Sequence, residues 1–154
     1  MSVPKLRQPK NMNVKEKNTT TATVKTSYNE SQNYLIVTLR DGKKLVVSSD
    51  AYHGIFTAGE LFRCVFCEAE MVRDVICKER HKSSENHRKM LESYPHVEEY
   101  KENLIRKLNG VDHYCTVCNV IVSSQFLHKH MTADVHGQEL EMAIARALAY
   151  KPHY

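Results

Sequence analysis

No apolar run in this chain approaches the roughly 18 residues that cross a bilayer. Residues 1–10 are polar and basic, without the hydrophobic stretch of a secretory leader. These two absences point to a soluble, intracellular protein with no membrane partner. A strong excess of one charge is also missing: the net charge of +4 and pI near 8.8 permit a polyanionic partner but fall short of a dedicated nucleic-acid-binding domain. Catalytic signatures are lacking too. There is no nucleophile with its base, no paired-carboxylate motif and no phosphate-cradling glycine loop, so an enzyme is not expected. The 42% hydrophobic content is too high for a wholly disordered chain, and 154 residues suffice for one ordinary domain or several miniature ones.

Cysteine is scarce but patterned. Of the five, four form two CxxC pairs, Cys64/Cys67 and Cys115/Cys118, and an odd count in a reducing compartment reads as metal binding rather than as a disulfide framework. Four of the nine histidines follow these pairs at ligand-like distances. The other five, His53, His96, His113, His128 and His153, do not, and read as surface or packing residues.

Along the chain, residues 1–30 carry scattered lysines, a threonine-rich patch and no apolar periodicity, so they lack the surface to offset the entropy of ordering and read as a disordered tail. Residues 31–60 hold two strand-like runs, Tyr34-Leu35-Ile36-Val37-Thr38-Leu39 and Lys44-Leu45-Val46-Val47-Ser48, joined around the turn signal Asp41-Gly42. An isolated hairpin is marginal in water, so this one is expected to lean on the neighbouring first finger. Residues 94–111 place Val97, Tyr100, Leu104, Ile105 and Leu108 at helical spacing before Asn109-Gly110, which reads as an amphipathic connector helix packed against a finger or the hairpin. Leu140, Ile144, Ala147 and Leu148 extend a last helix until Pro152 halts it.

Residues 61–93 and 112–151 carry the metal chemistry. In the later segment two residues separate Cys115 from Cys118, eleven separate Cys118 from His130, and five separate His130 from His136. The close thiol pair faces one ion from a tight turn, Val120 and Val122 supply a strand, Ser123-Ser124 a helix start, and Phe126 and Leu127 a small core. Positions six apart on a regular helix stand about 240° from one another, so the two histidines share a face only if the helix bends or ends between them. Met131-Thr132-Ala133-Asp134-Val135 includes poor helix formers that tolerate this.

The earlier segment repeats the plan with Cys64, Cys67, thirteen intervening residues, His81 and, after five more, His87, with Lys82-Ser83-Ser84-Glu85-Asn86 loosening the helix. Cys77, four residues before His81 on the same helical face, is an alternative fourth ligand in place of His87, or else a small core residue matching Leu127 or Phe126. Two thiolates and two imidazoles per site leave no open coordination position, so two structural Zn2+ ions per chain are expected. Each contributes roughly 10 to 16 kcal/mol of apparent folding free energy to a unit too small to fold on apolar burial.

Tyr114-Cys115-Thr116-Val117-Cys118-Asn119-Val120, the serine pair, Leu127, His130-Met131 and His136 resemble a matrin-type Cys2His2 zinc finger. Such fingers are similar to those of spliceosomal and double-stranded-RNA-binding proteins. The resemblance implies an RNA- or DNA-related role, often nuclear; RNA is the slightly favoured partner, and the reduced CxxC pairs place the protein in nucleus or cytosol. The first finger departs from it in its longer Cys-to-His interval and in Glu68, which stands where the second has Asn119.

The expected fold is a small α+β zinc-finger protein: two ββα-like fingers joined by an amphipathic helix, with an N-terminal β-hairpin and a disordered tail. Candidate phosphate contacts are Lys78, Arg80, Lys82, Arg88 and Lys89 on the first finger's helix, since Lys129 is the lone Lys or Arg between Asn119 and Glu141. The alternative is a zinc-stabilised protein-interaction module or nuclear adaptor that receives its partner on the hairpin edge or the amphipathic helices.

Overall fold

The computed structural model describes residues 33–150 and the backbone of the strand Asn13–Asn18. Among the described residues the fold is α+β, with three separate three-stranded sheets, short helices and one longer C-terminal helix.

The first sheet contains the expected hairpin. β2 (Asn33–Thr38) and β3 (Lys44–Ser48) pair antiparallel, and Gly42 takes a φ of 93° in the turn, which glycine adopts without a Cβ clash. The tail assignment needs correction at one place: Asn13–Asn18 is a strand, β1, that runs parallel to β2 and occupies its other edge. Strand addition at an edge is driven by unpaired backbone groups and needs no apolar pattern, which is why periodicity gave no sign of it. The remainder of residues 1–30 lies outside the described residues.

Two further sheets carry the candidate metal sites. α1 (Ser49–Tyr52), capped by the Ser48 hydroxyl, leads into β4 (Ile55–Ala58), β5 (Leu61–Cys64) and β6 (Ala69–Val72), followed by α2 (Val75–Ser83) and α3 (Glu85–Glu92). The second unit has β7 (Ile105–Lys107), β8 (Asp112–Cys115) and β9 (Val120–Ser123), then a 3-10 turn, α4 (Leu127–Met131) and α5 (Asp134–Ala149). Each unit therefore has three strands and two helices where ββα was expected. The added strand comes from upstream residues, and the helix is split by the histidine spacing.

The connector helix is not formed. A 3-10 turn at Glu98–Asn103 is broken at Lys101, where φ is 46°, and ends at Leu104, where φ is 51°. Ile105, Arg106 and Lys107 then pair with Cys115, Tyr114 and His113 as β7. The apolar residues at helical spacing belong to a turn and a strand, because pairing with β8 outweighs a weak local preference.

The hairpin leans on the first finger, as expected, through Leu91 of α3, and in addition on the second unit. Leu35, Val37, Leu45 and Val47 pack with Tyr52, Leu104 and Ala143, and with Leu140 and Ile144 of α5. Tyr34, Ile36 and Val46 pack on the other face with Ala147 and Tyr150. Arg146 of α5 donates to the Val46 carbonyl at 2.8 Å and lies over the Tyr34 ring, covering the edge of β3. The long helix of the second unit thus closes the first sheet. Among the described residues, no helix is long and apolar enough to cross a membrane.

Candidate metal centres

Each CxxC turn begins where a strand delivers its first cysteine, Cys64 at the end of β5 and Cys115 at the end of β8. The residue after the second cysteine takes a left-handed backbone, Glu68 at φ 53° and Asn119 at φ 57°. Asparagine tolerates this region through local hydrogen bonding, whereas glutamate does so at greater strain.

The histidines are brought together by the break their spacing demands. In the first unit α2 ends and α3 starts at Ser84, whose hydroxyl accepts from the His87 N–H at 3.2 Å and donates to the His81 carbonyl at 2.8 Å. The second unit breaks at Thr132-Ala133, where the Ala133 N–H reaches the His130 carbonyl at 3.1 Å and no side chain caps α5.

Two groups of four result: Cys64, Cys67, His81 and His87, and Cys115, Cys118, His130 and His136, with the ligand atoms of each group within 4.8 Å of one another. His87 Nδ1 stands 3.6 Å from both Cys64 Sγ and Cys67 Sγ, and His136 Nδ1 stands 3.6 and 3.5 Å from Cys115 Sγ and Cys118 Sγ. A tetrahedral ion with zinc-like bonds sets an S···N edge of roughly 3.6 Å. The remaining donors are His81 Nε2 and His130 Nε2, which are buried without a hydrogen-bond partner, as atoms reserved for an ion are.

The charge balance points the same way. Burial and the neighbouring Cys64 push the Cys67 thiol up to about 12. The Cys118 thiol hydrogen-bonds Cys115 and holds it down to about 4, while Cys118 itself is pushed up. A cation between the paired sulfurs would relieve this opposition to a second thiolate. Burial lowers His87 to about 4, which keeps its imidazole neutral and able to ligate. Each group can hold one metal ion.

Cys77 is outside the first group. It packs, half-buried, against the cluster of Ile55, Val65, Phe66 and Met71, and its N–H is capped by Asp74 at 3.1 Å, as the core reading of this residue requires.

The five candidate phosphate contacts separate. Lys82 is 3% exposed, and its ammonium meets Asp50 at 2.6 Å, Glu79 at 3.0 Å and Ser49 at 3.0 Å. Three donors with three acceptors leave nothing for a phosphate, so this assignment is corrected. Lys78 is also engaged, bridging to Asp50 at 2.8 Å and lying over the Phe62 ring. Burial pushes the Asp50 carboxyl up, but the two lysines more than offset this and hold it below its ordinary value. Arg80, Arg88 and Lys89 are exposed, Lys89 within 3.7 Å of Glu85.

The two units interlock. Tyr114 of β8 is fully buried in the core of the first unit, its hydroxyl held between the Ala51 carbonyl at 2.8 Å and the Asn119 side chain. Asn119 donates to the Ile55 carbonyl at 3.1 Å. Arg106, 1% exposed, donates to the carbonyls of Tyr94 and Tyr52 at 2.7 and 3.0 Å and stacks over Tyr52 and Phe66.

Comparison with family models, curated proteins and solved structures yields no match to this chain. Sequence reasoning set His53 aside and never singled out Asn103, yet both bond to metal-site histidines, at 2.9 and 2.7 Å. The signal available was positional: each lies just upstream of its unit's first strand.

Proposed function

We propose that this chain is a two-zinc protein that binds nucleic acid, with double-stranded RNA the first candidate, in the nucleus and also the cytoplasm. The observation that carries the zinc reading is the pair of closed Cys2His2 groups with zinc-like S···N edges. Support for nucleic acid is the matrin-type resemblance together with Arg80, Arg88 and Lys89 exposed on the helices of the first unit. Phosphate contacts by such residues release counterions, so binding weakens as salt rises.

The test is filter binding of the zinc-loaded chain to double-stranded RNA, single-stranded RNA and duplex DNA across a salt series. Joint substitution of Arg80, Arg88 and Lys89 by Ala is expected to lower affinity and to flatten the log–log salt slope by about 2 to 3. Unchanged binding, or no binding by the parent at low salt, removes the nucleic-acid reading. A second reading, a protein-interaction module, is favoured by Val72, Val75 and Ile76, which are 58%, 52% and 58% exposed close together at the β6–α2 junction. Loss of a co-purifying protein on Val75→Ser/Ile76→Ser, with RNA binding absent, would favour it.

A further inference from the structure

The second histidine of each group points one nitrogen at the ligand cluster and the other at a residue upstream of the finger. His87 Nε2 lies 2.9 Å from His53 Nδ1, and His136 Nε2 lies 2.7 Å from Asn103 Oδ1. Different residue types thus occupy one structural place. His53 stands two positions before Ile55, the strand partner of Cys64, and Asn103 stands two before Ile105, the strand partner of Cys115. Each is followed by a left-handed residue, Gly54 at φ 70° and Leu104 at φ 51°. The carbonyl of that residue accepts from the N–H just after the first cysteine, at 2.9 Å from Val65 and 3.0 Å from Thr116. Each also brings its own carbonyl to the first thiol, Cys64 Sγ at 3.9 Å and Cys115 Sγ at 4.0 Å.

An imidazole that gives Nδ1 to a metal carries its proton on Nε2, and a buried N–H needs an acceptor. Asn103 Oδ1 can only accept, and its amide is oriented by the Nδ2 bond to the Tyr100 carbonyl at 3.0 Å. His53 supplies the same acceptor through Nδ1 when its own proton is on Nε2, a nitrogen that is buried without a hydrogen-bond partner, so the acceptor at Nδ1 is gained at the cost of one unpaired N–H. Histidine Nδ1 and asparagine Oδ1 both lie one bond beyond Cγ, so either side chain delivers an acceptor to the same point.

We propose that His53 and Asn103 are the positioning residues of the two metal centres. They fix the tautomer and ring orientation of His87 and His136 so that Nδ1 faces the ion, and the working metal-binding unit begins at these residues rather than at its first cysteine. The inference rests on the reading that both groups hold zinc.

The test uses the full chain loaded with zinc, cadmium-113 or cobalt(II). The parent is expected to take up two metals and to show slowly exchanging Nε2–H signals from His87 and His136. His53→Leu lowers affinity at the first site about 10- to 100-fold, and Asn103→Leu does so at the second, each with loss of its own histidine's N–H signal and little change in the other cadmium resonance. The exchanges His53→Asn and Asn103→His keep an acceptor at the δ position and restore binding and signal. Leucine variants that hold both metals as tightly as the parent, that weaken both sites equally, or that the exchanges fail to rescue would overturn the assignment. Fewer than two metals in the parent would remove the zinc reading and this inference with it. Two metals in the parent without a site-selective loss would remove this inference alone.

Discussion

Three positions before its first histidine, the first unit has Lys78, laid over Phe62 and paired with Asp50, while the second has Leu127, buried against Ile105, Cys115 and Val122. One position after that histidine stands Lys82, enclosed by Asp50, Glu79 and Ser49, against Met131, packed on the same apolar cluster as Leu127. At the helix break stands Ser84 against Ala133, with nearly the same backbone, φ −71° and ψ 150° against φ −78° and ψ 153°. One backbone plan is therefore fastened by ion pairs and a cap in one unit and by apolar packing in the other. Ligand geometry and a few left-handed residues fix the plan, and the fastening around them is free to vary.

The largest effect expected is from ligand loss. His87→Ala and His136→Ala should each remove one metal, a loss of order 10 kcal/mol of apparent folding free energy at that site, read by native mass spectrometry. Because Tyr114 of the second unit completes the core of the first, His136→Ala should also lower the chelator concentration that strips the surviving site by at least about tenfold. Independent fingers would show no such change.

Lys82→Met, which imports the second unit's residue, leaves the buried Glu79 without its cation and Asp50 with Lys78 alone, and should cost about 3 to 5 kcal/mol in denaturant titration of the zinc-saturated protein. A cost below about 1 kcal/mol would mean that the polar fastening is as dispensable as a surface pair.

Acid sharpens the comparison next. His96, whose backbone bridges to Arg106 at the edge of the second unit, accepts from or donates to Thr116 at 2.8 Å, and burial, aided by Arg106, holds its folded-state affinity for protons well below the ordinary value of 6.5. The unfolded chain takes up this proton as pH falls below about 6.5 and the folded chain does not, so stability is lost in that direction. His96→Gln should flatten the slope of stability against pH between about 6 and 5 by up to about 1.4 kcal/mol per unit. Equal slopes in parent and variant would show that His96 protonates freely in the fold.

The smallest effects concern the helix break. Ser84→Ala should cost about 1 kcal/mol and Ala133→Ser should gain about as much, since each exchanges the N-cap of one unit for that of the other. Thermal unfolding of the zinc-saturated variants measures both, and a destabilising Ala133→Ser would show that the two breaks are not equivalent.

What could be read in advance was what is local. The Asp41-Gly42 hairpin, the CxxC turns, and the helix break forced by five residues between histidines all depend on neighbours in sequence. The connector was misread because Leu104 and Ile105 owe their places to β8 and to the hairpin core, partners distant along the chain. Lys82 looked like a solvated cation because its counter-ion, Asp50, comes from α1, and nothing in the helix sequence announces it. His53 was set aside for the same reason, since its role depends on a histidine 34 positions later.

The Arg106 and Tyr114 contacts have a consequence for recognition. Two domains on a flexible tether search for their contacts separately, and the second docks at an effective concentration set by the tether. Here the guanidinium of one unit grips the carbonyls of Tyr52 and Tyr94 beside the other, so the pair presents a single fixed spacing. A ligand that reached both units would have to match that spacing, and would then lose little further orientational freedom. Swivelling between the units is closed off by the same lock, which would act as a ruler on any ligand spanning the two.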